Sequence, residues 1–245
     1  MKRSLIAIAF AASSIAALTG IVVAQGLAAK DALPPGSVSR AEGLEAWKRI
    51  EEVVTHPRCA NCHVDDKAIP MWTPAGEIRT RVHGMNIHGG QSRIGAETIR
   101  CSTCHMTSTL PNDPAPAPLR SGIDWQLAPV AFIWFGKSGA EICAQMKDPK
   151  RNGGRDAVGL LEHLRHDASL SGFIPRGWEP GAGRTTPPGT FEDHVKDVAR
   201  WEPPGNPVRT NDFVVAISGT RRRDDHGFKP SNARRAAPAR QRPRS

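Results

Sequence analysis

Tyrosine is absent from this chain and aromatic residues make up only 5% of it, whereas glycine (23) and proline (21) recur throughout. A chain cut so often by breakers is not a β sandwich or a long helical bundle; it reads as a mainly α body of short helices joined by many loops. At 245 residues it is long enough for one core of roughly 150–180 residues with flanking segments.

Net charge is also missing where it would matter. All but one unit of the total of +9 resides at the two ends: Lys2 and Arg3 at the start, and ten Lys/Arg against four Asp/Glu in residues 202–245. Residues 26–201 hold 21 basic and 20 acidic side chains. So balanced a body is not a nucleic-acid binder, and no nucleic-acid partner is expected. The end segment, with Arg221 to Arg223 and a run of Ala, Pro and Arg, buries too little apolar surface to offset its ordering entropy. It reads as a disordered basic tail, either a solvated passenger or a tether to anionic lipid or an acidic partner.

Lys2 and Arg3 precede an apolar stretch from Leu5 to Val23 that ends in Val22-Val23-Ala24. That is the layout of a signal peptide over residues 1–24, and it implies export to the periplasm. The alternative is a retained membrane anchor, for which the stretch is just long enough although Ser13, Ser14, Thr19 and Gly20 dilute it. Residues 25–37 then form a linker, 38–201 the domain and 202–245 the tail.

Within the domain, Ser39 and Glu42 have capping-box spacing, and Leu44, Trp47, Ile50 and Val54 share a helical face until His56-Pro57 stops the run. Residues 64–100 show no sustained period and are broken by Pro70, Pro74, Gly76, Gly84, Gly89 and Gly90, so a long loop is expected. Pro111 to Pro118 reads as a stiff connector, and Val130 to Phe135 is a dense apolar run. Three more helices are expected: one capped by Ser138 with Glu141, one over about 156–166, and one over 190–201.

The chemistry is carried by a pentapeptide that occurs twice. Residues 59–63 are C-A-N-C-H and residues 101–105 are C-S-T-C-H, both instances of the attachment signal for c-type haem. Two thiols spaced this way bond the two vinyl groups of one porphyrin, and the following imidazole becomes the proximal iron ligand. Cys59, Cys62 and His63 are thus expected to hold one haem, and Cys101, Cys104 and His105 a second. A zinc ribbon is the competing reading, but it needs no His after each pair and rarely separates its pairs so widely. A pair of disulfides likewise leaves both histidines unexplained.

The sixth iron ligands are less determined. For the first haem the following loop offers Met71, His83, Met85 and His88, with His83 preferred. For the second, Met146, His163, His166 and His194 fall on expected helices. His163 is preferred because it lies between Leu160-Leu161 and Leu164 on what reads as a packed face; His166, near the helix end, complements the dipole. Arg151, Arg155 and Arg184 in their Gly-rich turns are candidates to pair with haem propionates. Cys143 is either a buried small hydrophobe or, as the odd thiol of an exported chain, a partner for another chain.

Leu127 to Pro129, Trp134, Gly136, Glu141 to Cys143, Lys147 to Arg155, Glu162-His163 and Trp178 to Arg184 together resemble a family, the small cytochrome subunits that accompany isoquinoline 1-oxidoreductase-type molybdenum hydroxylases. The resemblance covers about residues 40–201. It implies a compact, loop-rich cytochrome c-like domain with two covalently attached haems that takes electrons from a periplasmic molybdenum hydroxylase oxidising aldehydes or N-heterocycles. It also implies histidine ligands at His83 and His163, and it has no counterpart for Met85 or His166. Members of the family end in Cys-Pro after the last helix, where this chain continues into Glu202 and the basic tail. An electron relay, not an enzyme, is the expected role; a dihaem peroxidase is the alternative, and it requires an open iron position with a distal acid or base. Only 38 residues separate Cys62 from Cys101, so the two haems are expected close together, which favours relay.

Overall fold

A computed structural model describes residues 30–77, 79–112 and 118–201. The expected signal peptide, the first five residues of the linker, the middle of the Pro-rich connector and the basic tail lie outside the described residues.

The described chain is mainly helical. Helix α1 spans Arg40–Val54, a short α2 spans Pro57–Ala60, and α3, Gly139–Lys147, follows a long stretch of loops and turns. Helices α4 (Ala157–Ser169), α5 (Phe173–Arg176) and α6 (Phe191–Trp201) complete the order. None of the helices among the described residues is long and apolar enough to cross a membrane.

Local chemistry explains the starts. Ser39 and Ser138 each accept a bond from the amide three residues on, while Glu42 and Glu141 bond back to the cap, so α1 and α3 both begin with a full capping box. Those bonds hold the Glu141 carboxyl down at about 2. Asp156 caps α4 through the Gly159 amide. Pro57 occupies the first turn of α2, where no amide is needed, and so delivers the chain directly into Cys59.

Helix α6 lies along α1, and α4 packs against both α6 and α5. Ala46, Trp47, Ile50 and Val54 of α1 meet Ile142, Cys143 and Met146 of α3, Leu161 and Leu164 of α4, and Val195, Val198, Ala199 and Trp201 of α6 in one core. Trp47 and Trp201 rings are 5.0 Å apart. At its edge Arg49 forks onto the buried Asp197, with bonds of 2.7–3.0 Å. Arg165 bridges Asp31 and Glu192 in the same way.

Residues 64–100 are less irregular than expected. Met71–Trp72 (β1) pairs antiparallel with Arg81–Val82 (β2), and a 3₁₀ turn follows over Gly84–Asn86. Two-residue strands give no periodic signal, so the hairpin is invisible to pattern analysis. A second small cluster of Val64, Ala68 and Leu127 sits under this loop region, with Cys62 and Met71 packed on it.

Candidate functional site

Both C-x-x-C-H segments are helical turns. The first leaves α2, with the Cys62 and His63 amides bonding back to Cys59 and Ala60 carbonyls; the second forms a 3₁₀ turn over Cys101–Thr103, with the His105 amide bonding to the Cys101 carbonyl. Such turns place two thiols and an imidazole on one side of the chain. Cys59, Cys62, Cys101 and Cys104 remain thiols without a disulfide. Burial pushes Cys59 up to about 12 and Cys62 up to about 11, so both are neutral at physiological pH. Cys62 also feels Cys101, which puts the two motifs side by side.

The histidines pair across the sequence rather than along it. His83 faces His105 with ring centroids 6.1 Å apart. Burial, with smaller contributions from Arg93 and His163, holds His63 down at about 3, so His163 lies within electrostatic reach of it. The sequence pairs His83 with the first motif and His163 with the second; the structure sets His83 beside His105 and brings His163 within reach of His63. His163 is also not on the packed face of α4. Leu161 and Leu164 are buried while His163 is exposed to solvent, yet surrounding atoms depress it to about 4.

The other candidates are placed elsewhere. Met85 is 80% exposed; Met146 is buried among Ile142, Leu161 and their neighbours; Met71 packs in the small cluster. His166 is exposed in the last turn of α4. His194 is buried against Trp178, with centroids 5.7 Å apart. Arg151 donates to the Ala131 carbonyl and Arg155 to Asn152, whereas Arg184 lies beside Arg58. Cys143 is fully buried in the main core.

The ring nitrogens are arranged for metal binding through Nε2. His63 Nδ1 is 3.1 Å from the Phe132 carbonyl and His83 Nδ1 is 2.9 Å from the Gly84 carbonyl. With the proton on Nδ1, each leaves Nε2 as a lone pair. Burial depresses His105 to about 4, so it too is neutral, and its Nδ1 is buried without a partner.

These residues fit a haem. Two metal–imidazole bonds of about 2 Å on opposite sides of one iron put ring centroids about 6 Å apart, as found for His83 and His105. Val82 and Met106, chain neighbours of that pair, are 58% and 61% exposed, apolar surface of the kind that a porphyrin could cover. Among the described residues no three of His, Cys, Asp or Glu converge as metal ligands.

Arg93 escaped sequence reasoning. It sits at φ +65° and donates to the carbonyls of Val64, Asp65 and Ala128, tying the exit of the first motif to the segment before α3. Its left-handed backbone and its carbonyl partners, up to 35 residues away, leave no mark in a local pattern.

No family model, no curated protein and no solved structure matches the chain.

Proposed function

We propose that this chain is a dihaem c-type cytochrome with a compact, loop-rich cytochrome c-like domain, and that it relays electrons in the periplasm. Cys59, Cys62 and His63 hold the first haem with His163 as sixth ligand. Cys101, Cys104 and His105 hold the second with His83. The observation that carries this reading is the His83–His105 pair, spaced 6.1 Å apart at the end of a C-x-x-C-H motif.

Each haem supplies a one-electron Fe(III)/Fe(II) couple. The chain's own residues do the rest. Thioether links from the paired cysteines fix position, carbonyl acceptors orient His63 and His83, and two imidazoles per iron leave no open position for substrate chemistry. The adjacency of Cys62 and Cys101 supports short-range transfer between the sites. Through the family resemblance of residues 40–201, the donor is a molybdenum hydroxylase acting on aldehydes or N-heterocycles, with a downstream acceptor beyond it. The N-terminal segment and the basic tail are the candidates for membrane contact.

A pyridine haemochrome assay should give two c-type haems per chain, and optical spectra of the reduced protein should not change under carbon monoxide. Absence of haem sinks the reading. Carbon monoxide binding with fast peroxide turnover replaces relay by a dihaem peroxidase.

A further inference from the structure

One segment supports both proximal histidines. Running from Trp125 to Phe135, it stacks Trp125 on His105 at 3.8 Å between centroids and 29° between planes, and Trp134 on His63 at 3.5 Å and 2°. Between the two tryptophans, the Leu127 amide donates to the Arg93 carbonyl at 2.8 Å and the Ala128 amide to the Cys62 carbonyl at 3.1 Å. The Phe132 carbonyl takes the His63 Nδ1 bond. The amides of Trp134 and Phe135 both close on the His63 carbonyl, at 2.9 and 3.0 Å.

The tryptophans are themselves fixed. Trp125 Nε1 donates to the Leu119 carbonyl at 2.7 Å, and its ring meets Phe173 edge-on. Trp134 meets Phe132 edge-on and packs against the main core. Neither side chain can swing without breaking these contacts. An imidazole stacked on such a ring therefore has its plane, and not only its position, set by the segment.

His63 is held by both the stacked ring and the Phe132 carbonyl, and His105 by the stacked ring.

The geometry points to Trp125 and Trp134 as positioning residues, one for each proximal imidazole, carried on a shared strap. This inference rests on the dihaem reading.

The test uses the full chain matured with haem, its haems counted before anything else. A wild type without haem defeats the dihaem reading and leaves the strap no ligands to position. With two haems present, redox titration and low-temperature electron paramagnetic resonance are recorded for wild type, Trp134→Leu, Trp134→Phe, Trp125→Leu and Trp125→Phe. Signals are assigned to sites through His163→Met and His83→Met.

Trp134→Leu should alter the ferric signal of the first haem alone, and Trp125→Leu that of the second alone. The Phe variants, which keep a stacking ring, should restore most of the wild-type signal. Selective loss of one haem from the matching site agrees with the assignment. Unchanged signals in both Leu variants overturn it, as does loss of both haems from either variant, which would make the tryptophans props of the fold.

Discussion

His83, carried on the hairpin loop that follows the first C-x-x-C-H motif, faces His105 of the second motif across 6.1 Å. Chain proximity would have given His83 to His63. The exchange follows from the β1–β2 hairpin, which turns the chain back so that the His83 amide bonds to the Pro70 carbonyl and the ring emerges over the other motif.

Crossed ligation is tested most simply with one haem at a time. In a chain carrying Cys101→Ser and Cys104→Ser, the remaining first haem should bind carbon monoxide once His163 is replaced by Ala, and should not when His83 is replaced. Visible spectra under carbon monoxide read the result. The reverse pattern restores the sequential pairing.

Arg93 offers a contest between backbone and side chain. Its left-handed conformation costs about 1 kcal/mol in a residue with a Cβ, which glycine would avoid. Its guanidinium bonds to three carbonyls, and bonds from a charged donor contribute about 1.5–3 kcal/mol. Arg93→Gly should therefore destabilise the protein in denaturant titration. An unchanged or raised midpoint refutes the carbonyl-binding role.

His194 sets a pH dependence away from the histidines of the two C-x-x-C-H motifs. Burial lowers it to about 4 from 6.5, with nearby Asp197 opposing the shift only in part. The folded state thus binds this proton less readily than the unfolded chain. Its contribution is complete above pH 6.5 and is lost as pH falls through the window down to about 4, to a total of about 3 kcal/mol. Thermal melts across that window should show a slope that His194→Gln removes.

Cys143 has 0% exposure and lies in the main core. Native protein should resist alkylation there, and labelling should appear only on unfolding, as mass spectrometry of iodoacetamide-treated samples can show. Rapid labelling of the folded chain would return Cys143 to the role of an intermolecular thiol. Because the side chain is small, Cys143→Ala should cost only about 1 kcal/mol.

What the sequence determined by itself is whatever depends on neighbours in the chain. Ser39 with Glu42 and Ser138 with Glu141 mark two helix starts because a capping box closes within four residues. Trp47, Ile50 and Val54 announce their buried face through helical spacing. The two C-x-x-C-H motifs are legible for the same reason: a single turn brings their donors together.

Tertiary structure alone decided which histidine meets which motif, since those pairs form only after a hairpin and a helix pack onto distant turns. His63 reaches the Phe132 carbonyl across 69 residues, and Arg93 reaches Ala128 across 35. His163 shows how the two levels diverge. Its position beside Leu160, Leu161 and Leu164 suggested a packed residue, but 100° per residue turns it away from Leu161 and Leu164, which are buried. Only the packing of α4 reveals what the exposed side of that helix faces, because no local spacing encodes a contact between elements so far apart in the chain.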